Sequence, residues 1–328
     1  MIIIKIYVPS YFKKFHCIAD KCPDTCCAGW EVNLDPESAE YYRTIGGDIG
    51  EKLRCHLNKD EDGDDMFTLC GDRCPFLSSN NLCELILNLG EEAISRTCTL
   101  FPRFYDNFGS FREMGLGFGC PEAAEIMLNN NEPFNLVEYS ETNEKAEEID
   151  EELLSILLSL RERIFSILDG EGTFKEKISE ILTLSENIQD SIAPFEIVPT
   201  GADFSRCVEV LSEMEYINED RKNTLLSLTD DGFDRTVYEK YSDDFIKLMK
   251  YYVFRYLLKA VYDCEILTKV RYGVFACAVI GRLYAQGIDR VKAMYGFSKE
   301  VEYSDINLQI LDDAMYEDFC NEDLLKLF

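Results

Sequence analysis

Four thiols fall within eleven residues in Phe15-His-Cys17-Ile-Ala-Asp-Lys-Cys22-Pro-Asp-Thr-Cys26-Cys27-Ala-Gly-Trp30. Thiolates at that density suit a metal centre, because a short run of chain presents several soft ligands to one ion or cluster. Cys55, Cys70, Cys74, Cys83, Cys98 and Cys120 follow, so ten of the fourteen cysteines occupy the first 120 residues. The remaining four, Cys207, Cys264, Cys277 and Cys320, stand in apolar helical contexts and read as small buried hydrophobes. A disulfide framework would need an oxidising compartment. The stretch Met1 to Pro9 has no basic n-region, too short an apolar run and no small-residue cleavage site, so a cytoplasmic protein with reduced thiols is predicted.

Thiolate-only sites suit tetrahedral zinc and iron-sulfur clusters alike. No Cys-x-x-Cys knuckle occurs, and Cys22 to Cys26 and Cys70 to Cys74 are each separated by three residues. The adjacent pair Cys26-Cys27 is strained as a chelate on one ion, which moves an iron-sulfur cluster ahead with zinc as the alternative. The radical-cluster signature of three cysteines fails at its third step, where residue 29 is glycine. His16 and His56 are the only histidines. They support no Ser/His/Asp or Cys/His arrangement, which disfavours hydrolase chemistry, and His16 beside Cys17 reads as a packing or solvent-facing residue as readily as a ligand.

With 33 basic against 62 acidic residues the chain carries a formal charge of −29. A surplus of that size repels phosphate backbones and anionic headgroups and suits a cationic substrate such as a lysine-bearing protein segment, so neither nucleic acid nor membrane is an expected partner. Hydrophobic residues at 46% and charged residues at 29% describe a folded globular protein. The longest apolar stretch, Tyr272 to Gly281 between Arg271 and Arg282, falls well below the ~18 residues a membrane span requires.

The elements that must position the thiols are irregular in the first half and helical in the second. Short helices are predicted at Pro36 to Ile45, Gly90 to Cys98 and Pro121 to Asn129. A hairpin is predicted in Phe104-Tyr-Asp-Asn-Phe-Gly-Ser-Phe-Arg-Glu-Met-Gly-Leu-Gly-Phe, and Gly115-Leu-Gly117-Phe-Gly119 reads as a glycine-rich strand rather than a nucleotide loop. Asn129 to Glu152, dense in Glu and Asn, reads as a solvated linker with a domain boundary near 140. Beyond it, apolar residues at three- and four-residue spacing predict helices over 148–168, from the capping box Thr173-Phe-Lys-Glu176 toward Gln189, and over 204–216, 243–262, 265–286 and 305–319. The fold class is therefore mainly α: a cysteine-rich metal-binding half over 1–140 with a small β-hairpin, then an all-helical half over 141–328.

The residues Phe15-x-Cys17-x4-Cys22-x-Asp24-Thr25-Cys26-Cys27-x-Gly29-Trp30, Cys74-Pro-Phe-Leu77, Leu82-Cys83, Leu89-Gly90-Glu91, Thr97-Cys98-x3-Pro102-Arg103 and Cys120-Pro121-Glu122-Ala123-Ala124 resemble, in this order, the flagellin lysine N-methylase family. That family belongs to a wider class of zinc- or iron-chelating cysteine-cluster proteins. The likeness is specific over residues 7 to 128. Tyr251 to Asp263 looks like the helical half of the same family, and 135 to 240 match nothing. The resemblance implies transfer of a methyl group from S-adenosylmethionine to lysines of flagellin by a protein holding a four-iron (4Fe-4S) cluster, with Cys17, Cys22, Cys26, Cys27, Cys74, Cys83, Cys98 and Cys120 as the metal set. Cys55 and Cys70 lie outside the pattern.

Displacement at a sulfonium methyl needs desolvation, alignment and a proton acceptor rather than a metal, so the cluster's role stays open between donor binding, redox gating and structure. Arg103 is a candidate to offset cluster charge or pair with the donor carboxylate. Trp30 is a candidate to stack on a sulfonium or ammonium. One compact thiolate centre is expected, facing a pocket between the halves with Trp30 and Arg103 on the cluster side. The competing readings are a non-catalytic, metal-stabilised interaction protein and a metal-storage protein.

Overall fold

Alternation in Ile2–Pro9 makes a strand, β1, that buries Ile4 and Val8 and leaves Ile3 in solvent. The computed structural model describes residues 2–30, 32–60, 62–194 and 200–328. Further strands are β2 (Val32–Asn33), β3 (Leu57–Lys59), β4 (Asp65–Phe67), β5 (Arg103–Phe108), β6 (Phe111–Leu116) and β7 (Leu136–Glu144). They form a four-stranded sheet in the order β5-β6-β1-β7 and a three-stranded sheet in the order β2-β4-β3. The predicted hairpin is β5 and β6, with Phe108 paired to Phe111 across the turn. The predicted linker is instead partly strand: β7 continues across residue 140 and pairs antiparallel with β1 along its length.

The first half also holds α1 (Pro36–Thr44), α2 (Gly47–His56), α3 (Glu84–Leu89), α4 (Arg96–Leu100) and α5 (Pro121–Asn129). Asp35 caps α1 through the Ser38 N–H at 2.9 Å, as its Asp-Pro start predicts. The helix expected over 90–98 does not form. Gly90, at φ 93°, ends α3, and Ser95 starts α4 by accepting the Cys98 N–H. A small core of Val32, Leu34, Ala39, Tyr42, Leu53, Phe67, Phe76 and Leu85 holds α1 to α3 against the three-stranded sheet.

The second half comprises α6 (Glu151–Asp169), α7 (Phe174–Ile192), α8 (Phe204–Glu213), α9 (Glu219–Leu226), α10 (Val237–Lys240), α11 (Ser242–Tyr256), α12 (Ala260–Asp263), α13 (Ile266–Ala285), α14 (Arg290–Val301), α15 (Asp305–Glu317) and α16 (Asn321–Lys326). The capping box forms as read, Thr173 and Glu176 each satisfying the other's backbone donor. The apolar run 272–281 lies in α13, which is buried from Ile266 to Tyr284 and packs against α7, α11, α14 and α15. Its charged residues are partnered: Arg271 donates to the Met315 carbonyl at 2.8 Å, and Arg282 to the Leu327 carbonyl at 3.0 Å. No helix of the described residues is long and apolar enough to cross a membrane. Cys207, Cys277 and Cys320 are buried as expected, while Cys264 is half-buried.

Strand β6 and the segment after it help to join the halves. Arg161 of α6 reaches Glu113 of β6 bidentately, at 2.6 and 2.7 Å, with both side chains buried. The segment after β6 lies on α11 and on Tyr303, two residues past α14. A Cβ at Gly117 would collide with the Tyr303 hydroxyl, and Phe118 stacks on Tyr251 with centroids 3.5 Å apart. The glycine-rich stretch is therefore a close-packing surface leading to Cys120, not a phosphate loop.

Candidate functional site

The cysteine loop from Cys17 to Trp30 is held by its own backbone and by the helical half. Cys17 accepts the Ala19 N–H at 3.4 Å, and the short turn Ala19–Lys21 ends at Cys22. Asp24 ties the loop to α9 and α14, receiving Arg221 at 3.0 Å and Lys299 at 3.1 Å, while Lys299 also donates to the Thr25 carbonyl at 2.6 Å. Arg221 also pairs with Glu300. Gly29 adopts φ 93°, and a Cβ there would strike Ile217, so the Gly29-Trp30 step requires glycine. The Trp30 indole N–H donates to the Cys26 carbonyl at 2.8 Å, and its ring meets Phe101 and Tyr303 at 5.6 and 5.5 Å.

The later motif cysteines return to this loop. Cys74 donates its N–H to the Cys27 carbonyl at 2.8 Å, and Ala28 bridges Arg73. Cys83 immediately precedes α3 and bridges Leu77, and Cys98 lies in α4, which is fastened to β2 by Thr97 donating to the Asn33 carbonyl at 2.7 Å. Cys120 opens α5 and is buried in the large core. Cys55 and Cys70 are exposed. His16 is exposed beside the Lys14 carbonyl, and His56 packs edge-on to Phe76. Among the described residues, no three His, Cys, Asp or Glu side chains are gathered in metal-holding geometry.

Thiol protonation follows from crowding. The Cys26 and Cys27 sulfurs are 4.0 Å apart and share a hydrogen bond. That bond, the Thr25 hydroxyl and the charges of Lys299 and Arg73 lower Cys27 to about 7, while the same bond, burial and neighbouring thiolate charge push Cys26 up. Burial, reinforced by neighbouring thiolate charge, raises Cys74 to about 12 and both Cys98 and Cys120 to about 11.

These shifts give metal-free protein a pH optimum. The contribution of Cys27, whose folded value is depressed, is present above about 9 and is lost as pH falls through about 7. Those of Cys74 and Cys120, whose folded values are raised, are present below about 9 and are lost as pH rises through about 11 to 12. The thermal midpoint of reduced, chelator-treated protein should therefore peak near pH 9. A midpoint that climbs steadily to pH 11 contradicts the assignment.

The two residues expected to meet the donor have other partners. Arg103 donates to the Thr99 carbonyl at 3.2 Å and lies over the rings of Phe15 and Phe12, at 5.0 and 5.7 Å. Trp30 does carry an ammonium, but it is the chain's own Lys299, with Nζ 4.7 Å from the ring centroid. A cleft of about 800 Å³ does open between the halves, lined among others by Tyr11, Asn130, Phe134, Asp169, Lys177 and Lys250. Neither Trp30 nor Arg103 lines it. Sequence reasoning missed Lys299, Arg221 and the buried Glu302, which accepts hydrogen bonds from Tyr251, Tyr252 and Tyr256 beside Arg255.

Fold and site together define a mainly helical protein with a thiol-rich lobe clamped to its helical half. The chain is similar to the lysine-N-methylase of Salmonella typhimurium, 29% identical over 143 residues that cover 41% of this chain and 35% of that protein. It is equally similar to the flagellar biosynthetic protein FliU of Salmonella muenchen, 29% identical over 143 residues, 41% of this chain and 83% of that one. Over the same share of this chain it matches 35% of the lysine-N-methylase of Salmonella choleraesuis. The resemblance carried by the cysteine motifs is upheld: these relatives are those of the flagellin lysine N-methylase family, and the match spans about a third of the two curated enzymes. No family model and no solved structure matches the chain.

Proposed function

We propose that the chain is a protein lysine N-methyltransferase that moves a methyl group from S-adenosylmethionine to lysine side chains, flagellin foremost, and that its cysteine lobe holds thiolate-bound metal. The similarity to lysine-N-methylases carries the reading. The donor set supports the metal: the motif thiols lie on segments tied to one loop, the Cys26 and Cys27 sulfurs are 4.0 Å apart, and a bound cation would ionise such thiols and bring them together. Cys17, Cys22, Cys26, Cys27, Cys74, Cys83, Cys98 and Cys120 would hold it. Bound there, zinc supplies a structural core, and an iron-sulfur cluster supplies in addition a one-electron redox centre.

In the transfer itself the neutral lysine amine attacks the sulfonium methyl, the carbon–sulfur bond breaks toward the thioether product, and a proton leaves the new ammonium. The acidic surface draws a lysine segment in while favouring its protonated form, so a desolvated site must release that proton. Lys299 and Arg221 hold the loop through Asp24, and Lys299 places positive charge within reach of Cys22 and Cys27. The name of the second relative, a flagellar biosynthetic protein, favours a further reading in which the lobe is structural and the chain binds a flagellar partner without catalysis.

The test incubates metal-replete protein with methyl-labelled donor and flagellin from the same host, then maps label by mass spectrometry. Label on lysine that disappears in Cys26→Ser is expected. Absence of both transfer and donor binding, under oxidised and reduced conditions alike, leaves the binding protein as the better reading.

A further inference from the structure

The cleft between the halves holds polar groups whose bonding capacity the fold leaves unspent. It opens where the ends of α5 and α6 meet the start of α11, at Asn130, Asp169 and Ser242. Lys177 lines it from α7 and is 6% exposed. Its ammonium meets one acceptor, the Leu168 carbonyl at 2.8 Å, and no carboxylate among the described residues. Lys247 of α11 likewise meets the Leu128 carbonyl at 2.6 Å and no carboxylate among them. An ammonium carries three donors, so each lysine has two left over. A buried cation with no counter-charge is costly, and an anion in the cleft would relieve that cost.

A second observation is independent of the lysines. Tyr11 lines the same cleft and is 3% exposed, yet its hydroxyl has no hydrogen-bond partner among the described residues. A buried hydroxyl left open beside a cavity is a group that a ligand can satisfy. The acids of the cleft do not cancel the spare cations, because Glu132 pairs with Lys14 at 3.2 Å and Asp169 with Lys250 at 2.5 Å. Met127, Phe134 and Ile246 add an apolar wall, and a volume of about 800 Å³ is that of a small-molecule site.

We propose that this cleft is the methyl-donor site, an inference that rests on the methyltransferase reading. Lys177 takes the carboxylate of S-adenosylmethionine, the Tyr11 hydroxyl donates to the bound molecule, and the apolar wall takes the adenine. A zwitterionic nucleoside suits this mixture of charges, since Asp169 keeps one oxygen unbonded among the described residues for the α-ammonium. Met127 and Asn130 line the cleft from the end of α5 opposite Cys120, about 10–15 Å along the helix axis. A donor held here is no ligand of metal in the thiol lobe, which leaves that metal a structural or redox role.

Full-length protein purified anaerobically is titrated by calorimetry with S-adenosylhomocysteine, the demethylated donor, and with methylthioadenosine, which lacks the amino-acid end. Lys177→Met should weaken S-adenosylhomocysteine by about 10- to 100-fold, the loss of a charged hydrogen bond, and leave methylthioadenosine unchanged. Tyr11→Phe removes a hydroxyl that bonds to nothing in the chain, so it keeps the fold and should weaken S-adenosylhomocysteine by about three- to tenfold. Wild-type affinity for S-adenosylhomocysteine in either folded variant overturns the cleft assignment and leaves the methyltransferase reading standing. Adenosine monophosphate bound more tightly than S-adenosylhomocysteine, and weakened in Lys177→Met, makes the cleft a nucleotide site and overturns it too. Wild-type protein that binds neither S-adenosylmethionine nor S-adenosylhomocysteine overturns both the assignment and the reading beneath it.

Discussion

Replacing Glu302 by alanine is expected to lower the free energy of unfolding by about 3–5 kcal/mol, the usual cost of stranding one partner of a buried ion pair. Glu302 is 4% exposed. Its Oε2 accepts the Tyr251 and Tyr256 hydroxyls at 2.7 and 3.1 Å, its Oε1 accepts Tyr252 at 2.9 Å, and the Arg255 guanidinium lies 2.8 Å away. Burial raises all three phenols well above their ordinary value, so they remain donors at every working pH. Removing the carboxylate leaves Arg255 buried without its counter-charge and three hydroxyls without their acceptor. Glu302→Gln keeps one acceptor but turns an amide N–H toward donors, so it should fall between the alanine variant and wild type. Tyr303 and Arg255 are also what the Gly117 segment packs on, so Cys120 should become more reactive toward alkylation in both variants. Urea denaturation measures the first effect, and a loss below about 1 kcal/mol in Glu302→Ala would mean that water already screens the pair.

How much of this was legible in sequence depended on whether the signal was local. The capping box at Thr173 and Glu176, the Asp35-Pro36 start and the Phe104 hairpin carry their partners within a few residues, and each forms as read. Strand β7 was hidden because it is an edge strand with mostly exposed, acidic residues and no apolar alternation to betray it. Helix α14 was hidden for the opposite reason. It buries Lys299 and Glu300 among apolar neighbours, because those charged groups serve the cysteine loop, the Ile217 N–H and Arg221 rather than solvent. The thiols were plain as a motif. Their grouping was not, since it is set by the Cys74 to Cys27 backbone bond and by which core each segment joins. Trp30 was singled out as a partner for a sulfonium or ammonium and Arg103 as one for negative charge, but spacing says nothing of which cation or ring the fold sets beside each.

Replacing Lys299 by methionine should release the cysteine loop from the helical half before the rest of the protein unfolds. The Lys299 side chain is 2% exposed, and its ammonium makes a 2.6 Å hydrogen bond to the Thr25 carbonyl, a 3.1 Å ion pair with Asp24 and a contact with the Trp30 ring. A charged hydrogen bond contributes about 1.5–3 kcal/mol and a desolvated cation–π contact about 2 kcal/mol, and because the same ammonium makes both, the values do not add. Methionine matches the stem but supplies neither. Arg221 still holds Asp24 at 3.0 Å, so the loop loosens without detaching at rest. Trp30 is the sole tryptophan, which makes its emission a private reporter of this loop. In wild-type protein the urea transitions read by Trp30 emission and by far-ultraviolet circular dichroism should coincide. In Lys299→Met the emission change should come at lower urea, with the helical transition nearly unmoved, and Cys22 and Cys27 should be alkylated well ahead of the buried Cys277. Lys299→Arg should restore only part of the gap, because a planar guanidinium cannot place one compact charge on both the carbonyl and the ring. Coincident transitions in the methionine variant would show that Arg221 and Asp24 alone secure the loop, and that the ammonium over Trp30 adds nothing to its hold.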